Sequence, residues 1–290
     1  MELIQRQMPR DYTLIDCSDF HYGSLNCNRD AIKEMVNKVA TNKDYYLINK
    51  GDSIEAITPN DKRYASCGID IRDRLLTPQQ QADAVINDFT PIKDKIVAWG
   101  FGNHEYALLN TIDFGHYIAK GLGVDYGTYC FKFAAYDRRT QKLMHKMYFT
   151  HGKGNLSSNA KDDIQKLANR KASLKQKLSN SGHGDCVYMS MGHTHQLLVV
   201  EPTVEDKLFL TDDGHGIKQH YHVKSEQNVP YIPPESRWYG CSGSFLKLYS
   251  APSTYAISYG EVAGYAPSEV GWLEVKVQDG DVVAVDKVIA

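Results

Sequence analysis

No stretch of this chain approaches the roughly 18 to 20 consecutive apolar residues needed to cross a bilayer, which argues against a membrane-spanning helix. Its six cysteines (Cys17, Cys27, Cys67, Cys130, Cys186 and Cys241) are scattered without a C-x-x-C pair, so neither a disulfide framework nor a thiolate metal site is expected. Met1 to Asp11 holds charges and Pro9 where a signal peptide needs an apolar centre, and the expected setting is the reducing cytoplasm. Charge of one sign is also missing: 33 Lys and Arg stand against 35 Asp and Glu, a formal net charge of -2. No global field therefore draws the chain to nucleic acid or an anionic membrane, and any such partner must be recognised locally. Internal repeats, low-complexity tracts and a convincing linker are lacking as well. With 290 residues and 42% hydrophobic content there is enough material for a sizeable core. A single domain spanning 1-290 is expected, with insertions at about 56-76 and 152-184 and a strand-rich C-terminal part, 196-290.

Histidine is sparse too, at 11 residues, yet its placement is far from scattered. Five short hydrophobic runs (Tyr12 to Cys17, Tyr45 to Ile48, Ile96 to Trp99, Met147 to Thr150 and Cys186 to Met191) read as buried strands. Each ends in metal-ligand types: Asp19-Phe20-His21, Gly51-Asp52, Gly102-Asn103-His104-Glu105, His151 and Gly192-His193-Thr194-His195. One histidine at a strand end is more often a structural hydrogen bonder than a ligand. Five such ends are another matter, because the C-terminal edge of an α/β sheet brings distant segments to one crevice. On an extended chain, residues i and i+2 point the same way, so Asp19 with His21, and His193 with His195, can each present two side chains to one cavity. Imidazole and carboxylate donors without thiolate suit first-row divalent ions, and a carboxylate such as Asp52 can bridge two. A two-ion site best serves phosphate ester hydrolysis.

Between these runs the first half alternates strand and helix. Ile32, Met35, Val36 and Val39 keep helical spacing after Asn28, and Thr77-Pro78-Gln79-Gln80 looks like a capped start leading into Ala82, Val85, Ile86 and Phe89. Thr128 to Ala135 and Lys142 to Phe149 read as a hairpin. Asn159 can cap a helix running to about Ser179, with Ile164, Leu167, Ala168, Leu174 and Leu178 on one face.

The order and spelling of the five motifs resemble the calcineurin-like metallophosphoesterase superfamily, whose D-x-H, G-D-x-x-(D/E/N), G-N-H-(E/D), H and G-H-x-H blocks correspond to Asp19 to His21, Gly51 to Glu55, Gly102 to Glu105, His151 and Gly192 to His195. The resemblance implies an α/β fold, a four-layer α-β-β-α sandwich of two facing mixed sheets with the dinuclear site at the strand C-terminal edge. It implies one metal on Asp19, His21, Asp52 and His195 and another on Asp52, Asn103, His151 and His193. The two divalent ions would be manganese, with iron, zinc or nickel as alternatives. His104 would stay off the metals as the catalytic acid, with Glu55 orienting it and Glu105 supporting the ligands from behind. The implied activity is attack on a phosphate ester by a metal-bridging hydroxide. Departures narrow the subfamily. Ala56 and Ile57 follow Glu55 where Ser/Thr protein phosphatases and diadenosine tetraphosphatases carry Arg, His104 stands where the lipid A precursor hydrolases place Arg, and Glu55 stands where purple acid phosphatases need Tyr. What remains is the phosphodiesterase and nuclease side of the superfamily, acting on a nucleotide or nucleic acid. A phosphomonoesterase acting on a small metabolite or phosphoprotein stays open as an alternative, as do a nuclease that works only with a partner ATPase and a non-catalytic scaffold.

Other segments bear on the substrate. Lys161, Lys166, Arg170, Lys171, Lys175 and Lys177 give the helix after His151 a basic face, which is either an ordinary solvated surface or a contact for a polyanion, and Lys153 lies closer still to the chemistry. Asp212, Asp213, His215, His220 and His222 admit a further metal site or an alternating half-exposed strand. Tyr255 to Tyr265 is a candidate wall for a nucleotide pocket.

Overall fold

The computed structural model describes residues 1-58, 77-203, 208-212, 214-221, 226-249, 261, 264 and 269-290. Residues 59-76 of the first expected insertion, Asp213, His222 and most of Tyr255 to Tyr265 lie outside the described residues. The chain runs β1 (Glu2–Met8), β2 (Tyr12–Cys17), α1 (Arg29–Thr41), β3 (Tyr45–Asn49), α2 (Pro78–Phe89), β4 (Ile96–Gly100), α3 (Asn103–Tyr106), α4 (Phe114–Leu122), β5 (Tyr126–Thr128), β6 (Cys130–Asp137), β7 (Leu143–Thr150), α5 (Asp163–Ser179), β8 (Tyr188–Met191), β9 (Leu197–Val200), β10 (Leu208–Asp212), β11 (Ile217–Tyr221), β12 (Trp238–Ser242), β13 (Gly271–Gln278) and β14 (Asp281–Ile289).

Two six-stranded mixed sheets carry the fold, in the orders β14-β13-β2-β3-β4-β5 and β1-β6-β7-β8-β12-β9, beside a separate β10-β11 ribbon. In the first sheet β2, β3, β4 and β5 are parallel, and β13 joins antiparallel to β2. In the second, β7, β8 and β12 are parallel neighbours, while β6 and β7 form the expected hairpin with Phe131 opposite Phe149. Both faces of the central strands are covered, which is why they read as continuous apolar runs. Along β2 and β3, Leu14, Tyr46 and Ile48 join one buried cluster with Phe133, Met147, Phe149 and Tyr188 of the other sheet. Ile15, Cys17 and Leu47 turn instead toward Ile32, Met35, Val85 and Ile118 of α1, α2 and α4. A third cluster seats Leu174 and Leu178 of α5 on Met189, Tyr239 and Cys241. The layers are therefore helix, sheet, sheet, helix.

Two of the three expected helix starts are found where the sequence places them. Asn28 caps α1 and a Thr77–Gln80 capping box opens α2. The cap of α5 differs from expectation: it is Asp162, which accepts from the Gln165 N–H at 2.8 Å, rather than Asn159. Nor does α5 bury one continuous apolar face. Leu174 and Leu178 are buried, whereas Ile164 is 81% and Leu167 44% exposed, because only the last turns of the helix lie over the sheet.

His145 on β7 is fully buried and bonded to the Tyr12 hydroxyl and the Gly280 carbonyl, both at 2.8 Å. Burial pushes its imidazole down to about 4. An unfolded histidine takes up its proton near 6.5, so the stability contributed by keeping this ring neutral is present above pH 6.5 and lost as pH falls to 4, to an extent of roughly 3 kcal/mol. Measured as the difference between wild type and His145→Gln across that window, the pH slope should be steeper in wild type; parallel curves would refute the assignment.

Candidate metal centre

The parallel strands of the two sheets finish side by side. β2, β3 and β4 of one and β7 and β8 of the other each release their chain into the same crevice, delivering Asp19 and His21, Asp52, Asn103 and His104, His151, and His193 and His195. The side chains do not converge along extended backbone, as i, i+2 spacing would have it. Asp19, His21, Asp52, His193 and His195 all adopt left-handed backbone, with φ of 58°, 55°, 49°, 68° and 54°. That region is sparsely used except by Gly, Asn, Asp and His, and the residues that hold it here are Asp and His. The tight turns are possible because glycines lie against the carboxylates: a Cβ on Gly102 would come within 2.1 Å of Asp52 Oδ1, and one on Gly192 within 2.7 Å of Asp19 Oδ2.

The donor atoms form two groups around Asp52. On one side His195 Nε2 lies 3.3 Å from both Asp19 Oδ1 and His21 Nε2, and His21 Nε2 is 3.9 Å from Asp19 Oδ1. On the other, His151 Nε2 is 3.2 Å from Asp52 Oδ2 and 3.0 Å from Asn103 Oδ1, which is itself 2.6 Å from His193 Nδ1. Asp19 Oδ1 is buried without a hydrogen-bond partner. Lone-pair atoms crowded together with one of them orphaned fit a cation between them. Asp19–His21–His195, His21–Asp52–His104 and Asp52–His151–His193 are the groups in which donor atoms approach within 4.8 Å of one another among the described residues. His220 of the Asp212 to His222 stretch forms no such group there and pairs with Thr211 Oγ1 at 2.7 Å.

The electrostatics follow from burial against mutual attraction. Burial alone would raise Asp52 and Asp19, but His151 and His104 around the first and His195 and His151 around the second hold both well below the usual carboxylate range. Burial would lower His151, yet Asp52, Asp19 and Glu105 lift it to about 9. Desolvation depresses His21 and His193.

His104 departs from the expected arrangement. Its Nδ1 bonds to the main-chain carbonyl of Glu55 at 2.6 Å, while the Glu55 carboxylate bonds to His21 Nδ1 at 2.9 Å. Glutamate is one methylene longer than the aspartate more familiar at this position and reaches past His104 to the ring beyond. His104 Nε2 is left facing the crevice, 4.0 Å from Asp52 Oδ2.

Glu105 was expected to support the ligands from behind, whereas Lys50, Asp16 and Tyr129 were not marked in the sequence. Glu105 is fully buried, and its two oxygens accept the backbone N–H groups of Asp52, Ser53, Ile54 and Gly102 at 3.0, 2.6, 3.2 and 2.9 Å. Burial and the Asp52 charge push its carboxyl up to about 7. Beneath the site, Lys50 pairs with Asp16, which also accepts from Tyr188 Oη at 2.6 Å and from Ser190 Oγ, tying the two sheets together. Asp16, a charge inside an otherwise apolar run, was the available signal for that pair, and Lys50 lies just past the end of β3. Tyr129 stacks edge-on against His151 at 5.6 Å, and the 62% exposed Tyr106 lies edge-on to Tyr129 and parallel to Phe101.

No protein-family model matches the chain, and no curated protein matches its sequence. Among solved structures it is similar to a metallophosphoesterase from Sphaerobacter thermophilus, at 13% identity over 95% of this chain and 88% of that one with a TM-score of 0.38. It is similar as well to the calcineurin-like phosphoesterase YfkN from Bacillus subtilis, at 12% identity, 97% and 90% coverage and a TM-score of 0.35. A third is the NAD nucleotidase NadN of Haemophilus influenzae, at 12% identity and a TM-score of 0.36; the chain spans about half of that protein, 49%. At such identities and scores, any assignment of activity rests on the site's own geometry.

Proposed function

We propose that the chain is a metal-dependent phosphoesterase of the calcineurin-like kind, hydrolysing phosphodiesters of nucleotides or nucleic acid. The carrying observation is the pair of donor groups sharing Asp52, one led by Asp19, His21 and His195 and the other by Asn103, His151 and His193. Divalent ions held there would lower the pKa of a shared water and offset charge on the phosphoryl oxygens. The chain's own residues do the rest. His104, anchored through Nδ1, presents Nε2 to the crevice and hands its proton to the departing ester oxygen. Asp52 Oδ1 accepts the His104 backbone N–H at 2.9 Å, so the proton donor and the shared carboxylate move as one unit.

Two features favour a nucleotide. Tyr129 adjoins His151, and the exposed Tyr106 beside it offers a surface on which a base stacks. Lys177 donates to the Lys153 carbonyl at 3.0 Å, which holds the basic end of α5 against the loop leaving His151, where a phosphate backbone would pass. No helix among the described residues is long and apolar enough to cross a membrane.

The test is hydrolysis after metal stripping and Mn²⁺ reconstitution, on bis-p-nitrophenyl phosphate, p-nitrophenyl phosphate, 2′,3′- and 3′,5′-cyclic nucleotides and single- and double-stranded DNA. Metal-restored cleavage of diesters over the monoester is expected. Monoester cleavage alone would move the assignment to a phosphomonoesterase, and a protein that takes up no metal while folded would overturn it.

A further inference from the structure

The segments 19-22 and 51-55 are zipped together by backbone bonds. The amide N–H groups of Asp19, His21 and Tyr22 donate to the carbonyls of Gly51, Asp52 and Ser53, and the Glu55 N–H returns to Tyr22 O, at 2.8 to 3.0 Å. Tyr22 and Ile54 make a parallel bridge within this zipper. The register places Glu55 beside His21, whose side chain is 2% exposed, and the glutamate's extra methylene closes the 2.9 Å bond to Nδ1. The same residue's carbonyl takes His104 Nδ1 at 2.6 Å. The His21 and His104 rings meet edge to face at 4.6 Å.

We infer that Glu55 is a positioning residue for the metal ligand His21, fixing its Nδ1–H tautomer through the carboxylate, and that the orienting group for His104 is the Glu55 main-chain carbonyl. A carboxylate behind a ligand imidazole aims the ring and makes its other nitrogen a better donor, and losing such a partner typically weakens metal binding about 10- to 100-fold. A carbonyl behind His104 fixes which nitrogen faces the substrate without adding a charge that would hold its proton back. The inference rests on the proposed metal-dependent reading of this site. It assigns to one side chain control of the Asp19–His21–His195 half, and to that residue's backbone the catalytic acid.

The experiment is calorimetric Mn²⁺ titration of metal-stripped wild type, Glu55→Gln and Glu55→Asp, with thermal melts to verify folding, followed by pH-rate profiles at saturating Mn²⁺. In wild type two binding events are expected. Glu55→Gln, which removes the charge, and Glu55→Asp, which removes the reach, should each weaken one event about 10- to 100-fold and leave the other in place. Saturating Mn²⁺ should then restore most turnover with the alkaline limb, where His104 loses its proton, unmoved. Two unaltered binding events together with a shifted or missing alkaline limb would overturn the inference and return the Glu55 carboxylate to His104. Wild type that binds no metal would instead sink the functional proposal itself, so the two failures are distinguishable.

Discussion

Glu105→Ala is expected to cost roughly 4 kcal/mol or more of stability and to abolish metal uptake, although the residue offers no atom to the metal. Four backbone N–H groups, three on the Asp52 loop and one on Gly102, end on its carboxylate. Each buried donor left without an acceptor costs about 1 to 3 kcal/mol, and water entering the vacated space recovers only part of that. Glu105→Gln should be nearly as damaging, because its amide nitrogen would turn two donors toward two donors. Chemical denaturation and Mn²⁺ titration read both effects. A Gln variant with wild-type stability and metal affinity would show that the loop is held by something else.

The second large effect separates holding from reacting. Asp52→Asn keeps an oxygen for the His104 N–H but gives up the charge that both donor groups share, and metal binding should fall by more than about 100-fold. His104→Ala should retain the metal and lower turnover by about 10² to 10⁴ on substrates with an alkoxide leaving group. The loss should shrink on bis-p-nitrophenyl phosphate, since an activated aryl oxide departs without a proton. Equal losses on both substrates would remove His104 from the acid role; unimpaired metal binding in Asp52→Asn would remove Asp52 from the centre.

The parts of this architecture legible beforehand were those with a local signal. Apolar runs gave β2, β3 and β4 to within one residue, β8 to within two and the second half of β7, because strands buried on both faces need no alternation and stand out from their surroundings. β1 escaped, since as an edge strand it buries only Ile4 and Met8 among polar neighbours. The residues of the site were marked by type and place, whereas their partners were not. Whether a carboxylate on Glu55 reaches His104 or His21 depends on one methylene and on the register between two loops, neither of which periodicity encodes. The α5 misreading has the same origin: helical spacing shows which residues share a face, and the length of sheet beneath the helix decides how many of them are covered.

The left-handed backbone at Asp19, His21, Asp52, His193 and His195 has a consequence for how such a protein changes over generations. Each of these positions holds a side chain in a conformation costing on the order of 1 kcal/mol or more, which glycine would occupy with little strain. A lineage released from selection on its chemistry would find the replacement of these residues favourable to folding, one position at a time. Each of the five positions therefore sets a donor atom against backbone ease, and glycine at any one of them would relieve the strain while removing a donor.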